Sequence, residues 1–283
     1  HGFRPLCLGR LHDGWVVASE TSALDILEAE YQRDVEPGEI VILGSDGLES
    51  LRPFPARKRA FCIFEYIYFA RPDSRVFGHG VYQVRKRLGE RLAVEAPAQG
   101  DFAMPVPDSG TCAALGFSQK AGLPFEMAFV RNHYVGRTFI QPVQRVRDLN
   151  VKIKLNPVRE LIEKRRLVLI EDSIVRGTTS RGRVRTLRNF GAREIHMRIS
   201  CPPHRFPCYY GIDFPDPAEL AANRLSIEEL RRYLGLDSLN YLSLEGMLAA
   251  MPLPAGDFCT ACFSGKYPVA PEAGLNKEVL EKK

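Results

Sequence analysis

The 283 residues, 45% hydrophobic and 26% charged, have the profile of an ordinary globular chain. A formal net charge of +5, with basic residues spread along the chain, leans toward an anionic ligand and forms no basic stripe for nucleic acid. No stretch approaches the roughly 18 apolar residues of a membrane span, since even "FCIFEYIYFA" is interrupted by Glu65, and no leader is visible, so a soluble, cytoplasmic protein is expected.

In chain order, the opening "HGFRPLCLGR" begins on His1 without leader or capping character and reads as a fragment whose true start lies elsewhere. Residues 1–60 read as β-rich. "GWVVASE" is a short apolar run, "ALDILEAEY" a short helical pattern, and "DVEPGE" a turn into "IVIL", with "GSDGLESLRPF" a hairpin turn and return strand. These are too few elements for a complete domain.

Over 61–250 strands and helices alternate. "VYQVRKRLGERLA" predicts an amphipathic helix, "FAMPVPDSG" a strand ending in a loop, "TCAALGFSQKAG" a helix closed by Gly122, and "PFEMAFV" the next strand. After a long connection without clean period, "RRLVLIE" predicts a buried strand, residues 178–190 a helix capped by Gly191, and "EIHMRIS" a further strand. This order implies a parallel α/β sheet with right-handed crossovers. "SIEELRRYLG" starts a helix with Ser226 and Glu229 in capping-box spacing, "SLEGMLAAM" follows, and 251–283 form a Pro-, Gly- and Cys-containing tail.

The segment "EDSIVRGTTS" follows the buried strand directly, and ligands of open α/β sheets bind beyond such strand ends. The helix start leaves the N–H groups of Arg176, Gly177, Thr178 and Thr179 free to surround a phosphate, with the hydroxyls of Thr178, Thr179 and Ser180 as further donors. Glu171 and Asp172 precede it, where carboxylates can accept from ribose hydroxyls or hold Mg²⁺. An isolated "DS" or "TTS" is ordinarily a solvated strand end and a helix cap. The whole run is more specific, and it lacks both the Lys of a Walker loop and the Gly spacing of a dinucleotide fold.

The run resembles the phosphoribosyl pyrophosphate (PRPP) signature of type I phosphoribosyltransferases, and in particular the glutamine PRPP amidotransferases. "GFRPL", "ASETSALD", "FEYIYFARPDS", "VPDSG", "YVGRTFIQP", "KLNP", "YGID", "DSLNYLSLEG" and "FCTACFSGKYP" are similar to stretches of the same family, so the resemblance covers nearly the whole chain. Glu171 departs from it, many relatives having Asp there.

The resemblance implies a type I phosphoribosyltransferase fold, a parallel sheet flanked by helices, over 61–250. Preceding it, in 1–60, would be the carboxyl-terminal remnant of an N-terminal-nucleophile glutaminase domain. Ammonia, drawn from glutamine in the complete enzyme, would displace pyrophosphate from PRPP to give 5-phosphoribosylamine, opening purine synthesis. Glu171 and Asp172 would hold the ribose and Mg²⁺. Residues from Ser173 through Arg176 and Gly177 to Ser180 would hold the 5′-phosphate. Ser109 would lie by the Mg²⁺ and pyrophosphate, with Asp108 and Gly110 shaping its turn.

Arg131 to Lys154 resembles the family's flexible loop, with Arg137 and Lys154 as cations for pyrophosphate and Tyr134 on the ammonia path. Cys7 does not match the family's amino-terminal nucleophile, so glutamine hydrolysis is expected to be absent from this fragment. Purine nucleotides as inhibitors and a homotetramer also follow from the resemblance, with no nucleic acid and no membrane as partners.

Seven cysteines, an odd number in a long chain, point to thiols or metal ligands rather than a disulfide framework. A lone Cys259-x-x-Cys262 is ambiguous among a redox pair, half a zinc site and chance, and four thiols could take Zn²⁺ or a [4Fe–4S] cluster. One branch of the family carries a [4Fe–4S] cluster, whose four ligands fall on Cys62, Cys208, Cys259 and Cys262. Cys7, Cys112 and Cys201 are then buried small apolar residues.

Two other readings use the same signature. A PRPP-sensing regulator would bind nucleic acid without catalysis, and a nucleobase phosphoribosyltransferase would carry a base-binding hood and no glutaminase remnant. The loop sequence, the cysteines and residues 1–60 count against the regulator, and residues 1–60 count against the nucleobase enzyme.

Overall fold

The computed structural model describes residues 1–44, 47–132, 155–214 and 216–271. Strands Phe102–Pro105, Arg166–Glu171, Glu194–Ile199 and Ser238–Tyr241 lie side by side in that order, all parallel. Phe102–Pro105 is buried throughout and Leu167–Glu171 likewise, as strands covered on both faces require. The periodicity of the sequence places the first three strands; the fourth, "SLNY", is too short to show one and is fixed by pairing with Glu194–Ile199.

"PFEMAFV" departs from expectation. Only a single parallel bridge, Ala103 to Phe125, adds it to the sheet, and Phe129–Arg131 turns away to pair antiparallel with Leu155–Pro157. Pro124 cannot donate to a ladder, although its carbonyl accepts from Ala103 N–H at 2.8 Å. Phe125 lies on one side of Phe102–Pro105 and Arg166–Glu171 on the other, so the chain reverses direction across the sheet between these two strands.

Helix Val81–Glu95 buries Val81, Val84, Leu88 and Leu92, a stripe at helical spacing, and packs on Thr111–Ala121, which in turn lies against two of the strands. The two helices meet at backbone distance: a Cβ on Gly89 would overlap the Ala113 carbonyl, and one on Gly116 the Lys86 carbonyl. Helix Thr178–Asn189 packs on Ile227–Leu234, which carries the expected capping box between Ser226 and Glu229.

Residues 1–60 are β-rich as expected. Cys7–Leu11 is the centre of an antiparallel three-stranded sheet between Gly14–Ala18 and Glu30–Asp34, and Ile40–Gly44 pairs with Gly47–Leu51 as a hairpin. Phe3 accepts from Cys62 N–H at 2.9 Å, and Phe61–Cys62 pairs in parallel with Phe258–Cys259, joining residues from both sides of the α/β region to its start. The apolar run "FCIFEYIYFA" is this short strand followed by a π-helix, Glu65–Phe69. The buried Arg85 guanidinium ties that helix down, donating to the carbonyls of Tyr66 (2.8 Å) and Ala70 (2.7 Å). Among the described residues no helix is long and apolar enough to cross a membrane.

The helix contact yields a stability test. Gly89→Ala or Gly116→Ala forces the helices apart and should cost about 1–3 kcal/mol in urea unfolding. Gly182→Ala, in an open helical position, should instead gain up to about 1 kcal/mol. Equal stabilities would contradict this packing.

Candidate functional site

Two loops leave adjacent parallel strands where the sheet order reverses, and they meet. Glu171 ends its strand and is buried, as is Asp172. From the neighbouring loop Ser109 Oγ donates to Asp172 Oδ2, and Ser173 Oγ donates to Oδ1 at 2.6 Å. Gly110 allows the approach: a Cβ there would sit 2.6 Å from the Ile170 carbonyl. The Pro107–Asp108 peptide is cis. Asp108 is exposed and ion-paired with Arg131, at the base of the predicted loop.

Helix Thr178–Asn189 begins without a side-chain cap, after Gly177 at φ +80°. A left-handed φ suits glycine, and it turns the chain sharply from strand end to helix. Arg181 N–H bonds the Gly177 carbonyl at 2.9 Å. The amides of Gly177, Thr178, Thr179 and Ser180 take no acceptor among the described residues. Free amides at a helix N-terminus form an anion site. Thr178 and Thr179 are exposed beside them, and Ser180 is buried. The exposed Arg176 side chain pairs with Glu219 at 2.7 Å.

The electrostatics are set by burial. Desolvation pushes the Glu171 carboxyl up to about 8, against the pull of Arg183, whose Nη1 donates to Oε2 at 2.7 Å. Asp172 is also raised by burial, opposed by its two serine hydroxyls and by the charges of Arg85 and Arg183. A dry pair of adjacent carboxylates gains from a cation or from hydroxyl donors. Sequence reasoning missed Arg183 and Arg85: nothing in "SRGRVR" distinguishes the arginine facing the strand end, and Arg85 sits in an amphipathic helix. Tyr134, Arg137 and Lys154 lie outside the described residues.

The cysteines form a second cluster. Cys62 and Cys259 are register partners, and with Cys208 and Cys262 they line one small cavity walled by Phe3, Phe64, Tyr210, Ile212, Phe214 and Ala261. All four are free thiols. Burial pushes Cys62 up to about 12 and raises Cys259 and Cys262. Tyr210 N–H donates to Cys208 Sγ at 3.3 Å. Phe64 and Phe214 also enclose His204, which burial pulls down to about 3 and holds neutral. Among the described residues no group of three or more His, Cys, Asp or Glu side chains is already drawn together around a metal position. Cys7, Cys112 and Cys201 are buried, as expected of apolar fillers.

No protein-family model matches the chain. It is 50% identical over 288 aligned residues to the amidophosphoribosyltransferase of Mycobacterium tuberculosis, covering 99% of this chain and 54% of that protein. To the chloroplastic amidophosphoribosyltransferase of Glycine max it is 53% identical, over 96% of this chain and 48% of the relative. The chain therefore spans about half the length of the curated relatives it matches. Among solved structures, a glutamine PRPP amidotransferase from B. subtilis complexed with ADP and GMP superposes with a TM-score of 0.86 at 47% identity, covering 94% of this chain and 60% of that one. Another, described as the allosteric regulatory enzyme of purine biosynthesis, gives 0.87 at 46%, covering 94% and 58%. The parallel sheet flanked by helices is the type I phosphoribosyltransferase fold.

The buried carboxyl has a pH signature. Glu171 titrates at 4.5 ordinarily and near 8 in the fold, so between these values the folded chain holds a proton the unfolded chain has lost. Its contribution to stability therefore falls as pH rises through that window. In metal-free protein, the stability of Glu171→Gln relative to wild type should climb between about pH 5 and about pH 8. A pH-independent difference in urea midpoints would contradict the burial effect.

Proposed function

From its homology to the amidophosphoribosyltransferases, matched over about half their length, we propose that this chain carries the transferase site of such an enzyme. Ammonia displaces pyrophosphate from PRPP there, giving 5-phosphoribosylamine, the first step of purine synthesis. The observation that carries the reading is the joining of a free-amide helix start to a buried carboxylate pair that is hydrogen-bonded across the sheet's reversal point.

The free amides of Gly177 to Ser180, with Thr178 and Thr179, bind the 5′-phosphate. Glu171 and Asp172 accept from the ribose hydroxyls, and Ser109 steadies Asp172 by its hydrogen bond. With both ends of the sugar fixed, the nitrogen lone pair bonds to C1 of the ribose. The C1–O bond breaks, pyrophosphate leaves with its electron pair, and the ammonium product gives a proton to solvent. The protein's contribution is position and charge, with no side-chain nucleophile. The oxygens of Glu171, Asp172 and Ser109 suit a hard cation, and two carboxylates leave room for phosphate and water ligands. Mg²⁺, when bound, would neutralise charge on the departing pyrophosphate. The roles expected of Arg137, Lys154 and Tyr134 belong to the same proposal, as does a division near residue 60 between a glutaminase remnant and the transferase.

Cys62, Cys208, Cys259 and Cys262 would hold a [4Fe–4S] cluster. Four free thiols around one apolar cavity, Cys262 buried and the other three partly so, supply soft ligands, and a metal's charge would offset the cost of burying thiolates. The cluster would fasten the strand Phe258–Cys259 to Phe61–Cys62. Reduced thiols are consistent with a cytoplasmic location. Purine nucleotides would compete with PRPP, and a homotetramer would be the assembly.

Two assays test these readings. With PRPP and Mg²⁺, ammonium salt should drive pyrophosphate release, and Asp172→Asn should lower kcat/KM by about a hundredfold or more. PRPP binding without release would favour the regulator instead. Anaerobic reconstitution should yield iron and sulfide in equal amounts, and Cys259→Ser with Cys262→Ser should abolish both; zinc retained in their place would overturn the cluster.

A further inference from the structure

The two carboxylates of the site are held differently. Asp172 has a hydroxyl on each oxygen, from Ser109 and Ser173. Glu171 has no hydroxyl donor among the described residues; its Oε2 accepts from Arg183 at 2.7 Å, and a side-chain hydrogen bond links its carboxyl to Asp172. Glu171 is nearly fully buried, and the Arg183 side chain is only 23% exposed, so the pair is poorly screened by solvent.

The origin of Arg183 gives the contact its meaning. It lies on the second turn of Thr178–Asn189, the helix whose first turn presents the free amides. Of the other arginines of this helix, Arg181 lies 4.4 Å over the Tyr233 ring, Arg188 pairs with Asp237 and Arg185 is exposed. Arg183 lies five positions after Thr178, a rise of about 7.5 Å along a rigid helix. One element thus holds both the anion site and the carboxylate that precedes it in the chain.

We propose that Arg183 is a positioning residue for phosphoribosyl transfer: by fixing Glu171 through Oε2 it keeps Oε1 directed to a ribose hydroxyl, at a spacing from the 5′-phosphate set by the helix. The inference rests on the transferase reading above. Arg183 touches no reacting atom and acts through Glu171 on binding of the sugar, so its loss appears in KM for PRPP rather than in kcat.

The test is ammonium-dependent pyrophosphate release by the full chain with Mg²⁺, for wild type, Arg183→Met, Arg183→Lys, Glu171→Gln and the double variant Glu171→Gln/Arg183→Met. Arg183→Met should raise KM for PRPP about tenfold, the scale of one lost charge-assisted hydrogen bond, with kcat within about threefold and an unchanged thermal midpoint. Arg183→Lys should recover part of the loss. In the Glu171→Gln background, Arg183→Met should add little, because the carboxylate it positions is gone.

An unchanged KM in folded Arg183→Met, or the same tenfold penalty added to Glu171→Gln, would overturn the proposal. If Arg183→Met does not fold, Arg183→Lys and its double with Glu171→Gln carry the same comparison. A wild type that releases no pyrophosphate overturns the transferase reading and this inference together; an active wild type indistinguishable from Arg183→Met overturns the inference alone.

Discussion

Two adjacent carboxylates held out of water are the constraint around which the site is arranged. Glu171 and Asp172 each have under 5% of their surface exposed, and burial raises both toward protonation. Such a pair is tolerable only with hydrogen-bond donors and positive charge close by. The donors come from separate parts of the chain: Ser109 from the loop after Phe102–Pro105, Ser173 from the turn itself, and Arg183 from the following helix. Arg85 adds charge from a helix that also anchors the π-helical turn. The acidic pair therefore couples the two loops at the sheet's reversal, where open α/β sheets bind ligands.

What was legible in the sequence followed from periodicity and from turn chemistry. The buried run at 166–171, the stripe from Val81 to Leu92 and the Ser226–Glu229 capping box are local patterns, and each forms as read. The free-amide helix start was legible for the same reason, since the strand end, Gly177 and the first helical turn occupy one continuous segment. The four cysteines were brought together only by resemblance; spacings of 146, 51 and 3 residues contain no local signal of their shared cavity.

What was not legible depends on contacts between distant residues. The "PFEMAFV" segment has a strand's composition, but a leading proline and the competing partner Leu155–Pro157 divide it into a bridge and a separate pair. Ser238–Tyr241 is a strand only because Glu194–Ile199 offers an edge. Arg183 is one of several arginines on its helix, and its role depends on which face meets the strand end. Gly89 and Gly116 look like ordinary helix weaknesses in sequence, yet they are where two helices touch.

The central claim is that one segment holds a sugar phosphate by both ends, and a crystal structure of the chain with bound ribose 5-phosphate tests it most directly. The phosphate should lie on the amides of Gly177 to Ser180, with the ribose hydroxyls on Glu171 and Asp172. A phosphate bound elsewhere, or a ribose turned away from the carboxylates, would contradict it.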